Sequence, residues 1–219
     1  METKIVLHNS VSLDCSFIGF HPNMDLHYRI VNHYKPNIYL AGSNTARSGI
    51  ELFGKMLPDE TANDTQKPKK DKSLPFWVIS DTKGSLKDLL HHYRRLDCCR
   101  DLVILASKST PSDYLKYLDE RHYDYIIAGD NFINYKSALK ELITKYQSST
   151  IVVDSGSILG YILLNENLID EISLIVSPEI IGIHSKNLFG ELKTKINLSC
   201  SHCEKFPDGN IWITYEVKK

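Results

Sequence analysis

An α/β fold with a mixed, mostly parallel central sheet and helices on both faces is what this 219-residue sequence predicts. Three observations lead there. Strand-like and helix-like apolar runs alternate along the first three quarters of the chain, the pattern of a layered α/β architecture. Several strand-like runs, Ile151-Val152-Val153 among them, are apolar at every position, as strands buried on both faces must be. After Ile169 the alternation stops, and three strand-like runs follow with turn signals between them, so antiparallel strands should finish the sheet. One domain over residues 1–219 is expected, because a core of this size buries most of the surface that the unfolded chain exposes.

The first strand comes from Ile5, Leu7, Val11 and Leu13, which share one parity and leave His8, Ser10, Ser12 and Asp14 on the other face. A helix is expected over Met24 to Tyr34, with Leu26, Ile30 and Val31 at helical spacing and Asn23 as its cap. Ile38 to Ala41 is a short buried strand closed by Gly42. Ser43 then caps a helix carrying Ile50, Leu52 and Phe53. Pro58 to Pro75 breaks the pattern with Thr61, Asn63, Asp64 and four lysines, and reads as a long solvated surface loop. Strands at Phe76–Ser80, Leu102–Ala106, Tyr125–Ala128 and Ile151–Val153 then alternate with helices. Those helices are expected at Leu86–Leu96, after Pro111, at Tyr135–Tyr146 and at Ile158–Leu164. Ile169–Val176, Ile196–Cys200 and Asn210–Val217 are the closing strands, with a turn at Pro207-Asp208-Gly209.

Composition narrows the function classes. Lysine plus arginine is 26 against 27 acidic residues, a formal charge of −1, so there is no basic excess for a nucleic acid. No apolar run is long enough to span a membrane, and no signal peptide is visible, so a cytoplasmic protein is expected. Five cysteines are an odd number with no disulfide framework. Cys200-Ser201-His202-Cys203 has zinc-like spacing at one end only, so no metal is expected.

The chemistry should sit where strands end and helices begin. In an open α/β sheet, ligands bind beyond the carboxyl ends of the strands. The strand at Ile151–Val153 runs into Asp154, then a turn of Ser155, Gly156 and Ser157, then a helix starting at Ile158 and Leu159. The first turn of that helix offers unpaired N–H groups and a positive dipole end, which suit a phosphate. A plain helix cap would use the same residue types. Gly42-Ser43-Asn44-Thr45 is a second such turn and Ser107-Lys108-Ser109-Thr110-Pro111 a third. Three of them suggest a shared nucleotide cleft.

These residues, with Asp170-Glu171 leading a strand to Pro178 and Gly182, resemble the reductase domain of riboflavin biosynthesis. That is the RibD C-terminal family, whose fold is dihydrofolate-reductase-like. Ser12-Leu13-Asp14 matches its opening motif and Gly42-Ser43-Asn44-Thr45 its second-strand motif. The sequence departs from the pattern at Cys15, where a glycine is usual, and at Arg47-Ser48-Gly49, where an aspartate and a proline are usual.

The resemblance implies an NADPH-dependent reductase that converts the ribosylamino sugar of an aminopyrimidine phosphate to a ribityl chain. It also implies a homodimer. Hydride transfer is chiefly a positioning task and needs a proton source beside it. Asp154 is the first candidate for a catalytic role and for substrate contact, and Asp14 the second, although a carboxylate capping a neighbouring turn would look the same. Ser12, Arg29 and His33 are candidates for holding substrate. Gly42, Thr45, Ser155, Gly156, Ser157, Ile158 and Leu159 are candidates for the cofactor pyrophosphate. Lys108, Ser109 and Thr110 are candidates for its adenosine end, where a 2′-phosphate would favour NADPH over NADH. A related reductase of a pterin or another C=N bond, and a nucleotide-binding module without turnover, remain as alternatives.

Overall fold

The computed structural model describes residues 3–53 and 58–219. Leu52 and Phe53, expected on the apolar side of the second helix, have side chains outside that description. The chain forms two compact units, one from Met1–Pro36 with Ser149–Lys219 and one from Asn37–Ser148.

In the first unit, β1 (Lys4–Ser12) is parallel to β6 (Thr150–Val153) on one side and to β7 (Glu171–Ser177) on the other. β9 (Ile211–Val217) and then β8 (Leu198–Lys205) extend the sheet antiparallel to their neighbours. The expected antiparallel finish is therefore present. The register pairs His8 with Ser173, Ser10 with Ile175 and Ser12 with Ser177. A row of small polar side chains thus shares one face of the two strands. That face is not wet: Val6, His8 and Ser12 are fully buried, whereas Leu13, assigned to the apolar parity, lies past the strand end and is 62% exposed.

The helix α1 (Met24–His33) belongs to this unit. The Oδ1 of Asn23 accepts the Leu26 N–H at 3.0 Å, as its capping role requires. Leu26 and Ile30 pack with Ile175 and Trp212 in one apolar cluster. Each such side chain contributes about 1.5–3 kcal/mol on full burial. His27 sits on the same inward stripe and is 4% exposed. The packing of α1 therefore forces one imidazole against the polar row of the sheet.

In the second unit, β2 (Ile38–Gly42), β3 (Phe76–Ser80), β4 (Leu102–Ala106) and β5 (Asp124–Ile127) pair in parallel in that order. The helices α2 (Ser43–Phe53), α3 (Leu90–Arg94), α4 (Ser112–Glu120) and α5 (Tyr135–Tyr146) follow those strands in turn. Ile79, Leu86, Leu90, Ile104, Tyr114 and Leu118 build its core. Gly84, at φ +68°, turns directly beneath Tyr114, where a Cβ would fall 2.7 Å from the ring. Glycine is required there for both conformation and space.

One expectation in this unit needs correction and another an addition. The helix expected from Leu86 to Leu96 is regular only over Leu90–Arg94. The Asp81 carboxylate accepts the N–H groups of Ser85 and Leu86, and Asp88 takes a left-handed φ of +65°, which an α-helix cannot continue through. The segment 58–75 has no helix or strand and is mostly exposed, as a surface loop should be, and it is also anchored at a few points. Asp64 accepts Arg95 Nε at 2.8 Å and Nη2 at 2.6 Å, and it also closes a turn on Thr61. The ammonium of Lys70 donates to the carbonyls of Arg94, Leu96 and Cys99 at 2.7, 2.5 and 2.8 Å. A cation there meets the negative end of α3. Two of the four lysines are thus held: Lys70 in this way and Lys67 by Asp124.

Candidate active site

β6 ends at Val153, and Asp154 is the next residue. Its Oδ2 lies 3.0 Å from Nε2 of His27, and Nδ1 of the same ring lies 3.1 Å from the Ser10 hydroxyl. Three elements therefore converge on one imidazole: β1 supplies Ser10, α1 the ring, and the end of β6 the carboxylate. The ring is buried, while the Asp154 side chain keeps 17% of its surface.

His8 stands behind this group, its ring centroid 4.5 Å from that of His27. Its Nδ1 is 2.9 Å from the Ser173 hydroxyl, which also accepts the Trp212 indole N–H at 2.9 Å. Burial, reinforced by the neighbouring His27, lowers the His8 pKa to about 3. His8 is therefore neutral at physiological pH.

The turn after Asp154 is held by Asn9, whose amide donates to the Ser155 carbonyl at 2.9 Å. Gly156 is the N-cap of α6 (Ser157–Asn165), with φ −62° and ψ −177° and no side-chain cap. That conformation suits any residue, so glycine contributes space: a Cβ would stand 3.5 Å from the Phe17 ring and project at the helix start. Ser157 and Ile158 open the helix, with Ile158 58% exposed, whereas the Leu159 side chain is buried and offers only its backbone. Peptide N–H groups at a helix start with no side-chain cap are a fitting donor set for a pyrophosphate.

The other candidates have different surroundings. Asp14 accepts the N–H groups of Ile181 and Gly182 at 3.2 and 2.9 Å and the Ser12 hydroxyl at 2.5 Å. The Ser12 hydrogen bond, then that of Gly182, lowers its pKa. These are the contacts of a turn cap, and they occupy both Asp14 and Ser12 in positioning residues 181–182. Arg29 lies over the Phe206 ring at 5.3 Å, and His33 meets Trp212 edge-on at 5.3 Å. Both side chains are exposed, Arg29 in the middle of α1 and His33 at its last residue.

In the second unit, Gly42 ends β2 and Thr45 falls in the first turn of α2. The Thr110 hydroxyl accepts the Ser107 N–H, and Ser109 bonds to Ser107 and to the Asn131 carbonyl, so these side chains build their own turn. Lys108 is exposed and paired with Asp130 at 2.8 Å, a surface contact that water and salt screen. Among the described residues no group of three or more His, Cys, Asp or Glu is placed to hold a metal ion. None of the described helices is long and apolar enough to cross a membrane.

Reading the residues alone singled out Asp154 but not Ser10, His8 or His27. The available signal was a histidine one place from Leu26 on the apolar stripe of an amphipathic helix, facing a strand with polar residues at alternate positions.

A family model described as the RibD C-terminal domain matches residues 35–212. No curated protein matches by sequence. A pyrimidine reductase-like protein from Corynebacterium diphtheriae superimposes with a TM-score of 0.73 at 16% identity, over 99% of this chain and 92% of that one. The riboflavin biosynthesis reductase of Saccharomyces cerevisiae gives 0.70 at 15% identity, over 99% and 90%. RibD of Acinetobacter baumannii gives 0.70 at 15% identity, and there the whole of this chain covers 59% of the longer protein.

Proposed function

The chain belongs to the RibD C-terminal domain family, and from that premise we propose that it is an NADPH-dependent reductase of riboflavin biosynthesis. Its substrate on this reading is a ribosylaminopyrimidine phosphate, reduced to the ribityl form. The observation that carries the reading is the juxtaposition on one turn of a carboxylate, Asp154, and a helix start without a side-chain cap, at Gly156. Backbone N–H groups of Ser157, Ile158 and Leu159 hold the pyrophosphate. NADPH, when bound, supplies the hydride. Asp154, two residues away, contacts the sugar and delivers the accompanying proton, a contribution of about 10²–10⁴ in rate for a well-placed acid.

Ser155 and Asn9 keep that turn in shape, so the distance between anion site and carboxylate is fixed by the backbone rather than by flexible side chains. Asp14 and Ser12 act one step removed, through the turn at 181–182. A homodimer is part of the same proposal. It is supported by an apolar hollow of about 370 Å³ whose walls include Ile172, Leu174, Leu198, Ile213 and Tyr215. Sedimentation at micromolar concentration checks it, and a purely monomeric species refutes it.

The test of the activity is NADPH oxidation followed by absorbance with the ribosylaminopyrimidine phosphate, alongside NADH and a pterin. Turnover with the first substrate supports the reading. Turnover only with the pterin makes the protein a different reductase of this fold. Tight NADPH binding with no oxidation by either makes it a binding module.

A further inference from the structure

We propose that Ser10, His27 and Asp154 form a proton relay in which His27 is the reservoir and Asp154 the outlet. The inference rests on the reductase reading for its substrate, and on geometry for everything else. The buried imidazole touches one partner through each nitrogen, Ser10 Oγ at 3.1 Å and Asp154 Oδ2 at 3.0 Å. An ionised carboxylate only accepts, so the resting Nε2 carries hydrogen. A serine hydroxyl both donates and accepts. It donates to Nδ1 when that nitrogen is bare and accepts from it when that nitrogen carries hydrogen, with no heavy atom moving. The same contacts thus serve both protonation states, which is what a relay needs and a merely structural histidine does not.

The surroundings direct the proton outward. The titratable groups facing the ring are His8 on β1, Asp154 after β6 and, on its own helix, Tyr28, whose ring is edge-on at 5.2 Å. His8 is held neutral by burial and takes no share of the proton. The outlet is the partly exposed carboxylate.

The step balances as follows. Hydride from the dihydronicotinamide, which is oxidised, forms a C–H bond at the sugar carbon of the open-chain imine. The C=N electron pair moves to nitrogen. As nitrogen takes a proton through Asp154, the His27 imidazolium passes its Nε2 proton to that carboxylate, which ends ionised as it began. His27 is left neutral, its Nδ1–H held by Ser10, and is reprotonated from water through Asp154 after product leaves. His27 and Ser10 are positioning residues in this scheme, because they act through Asp154.

The test uses His27→Gln, whose amide still donates to Asp154 but stores no proton, and Ser10→Ala, which removes one oxygen from a half-buried site. In His27→Gln, kcat should fall about a hundredfold with KM and NADPH affinity unchanged, and the pH dependence of kcat should flatten. In Ser10→Ala the fall should be several-fold. Nitrogen-15 NMR of the ligand-free protein supplies an independent readout, with His27 showing protonated Nε2 and its ring signals moving in both Asp154→Asn and Ser10→Ala. Wild-type kcat and pH profile in either variant overturn the relay, as do His27 signals blind to both substitutions. A wild-type protein inactive on the aminopyrimidine overturns the reductase reading instead, and the NMR result then decides the relay by itself.

Discussion

Replacing Gly156 by aspartate sets the two roles of this turn against each other. At φ −62° and ψ −177° an aspartate fits without backbone strain, and its Cβ meets only the Phe17 ring, at ordinary contact distances of 3.5 and 3.9 Å. Aspartate is also a better N-cap than glycine, by a few tenths of a kcal/mol, because its carboxylate accepts the N–H groups of the second and third helical positions. Those are Ile158 and Leu159, the donors assigned to the pyrophosphate. Folding should therefore be unharmed or slightly strengthened, with Tm rising by about 1 °C for a chain of this size. Binding should suffer. Two unit charges 4 Å apart repel by about 1 kcal/mol in water and about 4 kcal/mol at an effective dielectric of 20. A half-open turn lies between those limits, so NADPH affinity should fall tenfold or more, which is about 1.4 kcal/mol. Calorimetric titration and thermal melts on the same preparations provide the assay, and Gly156→Ala, with the Cβ but no charge, should lose far less. A higher Tm with unchanged affinity would refute the cofactor assignment and leave the turn as a helix cap.

Two further expectations concern stability. Asp64→Asn should cost about 1.5–3 kcal/mol in urea unfolding by removing a charged acceptor from Arg95. The Arg95 hydrogen bonds hold the Asp64 carboxyl below its usual 3.8, so the contribution is complete above that value and is lost as pH falls through the lower, folded one. The gap between wild type and variant should therefore be constant from about pH 5 to 8 and close in stronger acid; a gap that persists there contradicts the pairing. His8 behaves as a group that must be neutral to stay buried. Unfolded it takes a proton near 6.5 and folded only near 3, so stability is full above pH 6.5 and falls below it. The fall is at most about 1.4 kcal/mol per pH unit. His8→Asn should lack that limb in pH-dependent denaturation, and parallel curves would contradict the burial argument.

What could be read from residues and what could not divides along a physical line. The strands β3 and β4 and the helix α5 were legible to the residue, since apolar periodicity is a local signal. The shortening of α3 was not, because the left-handed Asp88 and the Asp81 carboxylate outcompete helical propensity through contacts four and five residues apart. The anchoring of 58–75 was invisible for a similar reason: its partners Arg94 and Arg95 lie more than twenty residues on, and a lysine run carries no mark of the carbonyls it will meet. Asp154 was legible because strand-end carboxylates follow from the architecture. His27 was not, because its role depends on how α1 rolls against β1, and only the packed structure sets that.

The first unit is discontinuous in sequence, and that has a consequence for the order in which the protein is made. β1 has β6 and β7 as its parallel neighbours, with Lys4 pairing Thr150 and Val6 pairing Glu171. Its apolar residues are synthesised some 150 residues before any strand in that unit exists to pair with them. At bacterial or eukaryotic elongation rates that wait is on the order of ten seconds or more. The pairing among β2, β3, β4 and β5 meanwhile lies within residues 37–148 and can form as they emerge. The nascent chain therefore carries β1, with Ile5, Val6, Leu7 and Val11, without its parallel partners while those residues are made, the condition under which edge pairing between chains competes with folding. The polar residues at His8, Ser10 and Ser12, chosen for the finished site, also interrupt that strand while it waits.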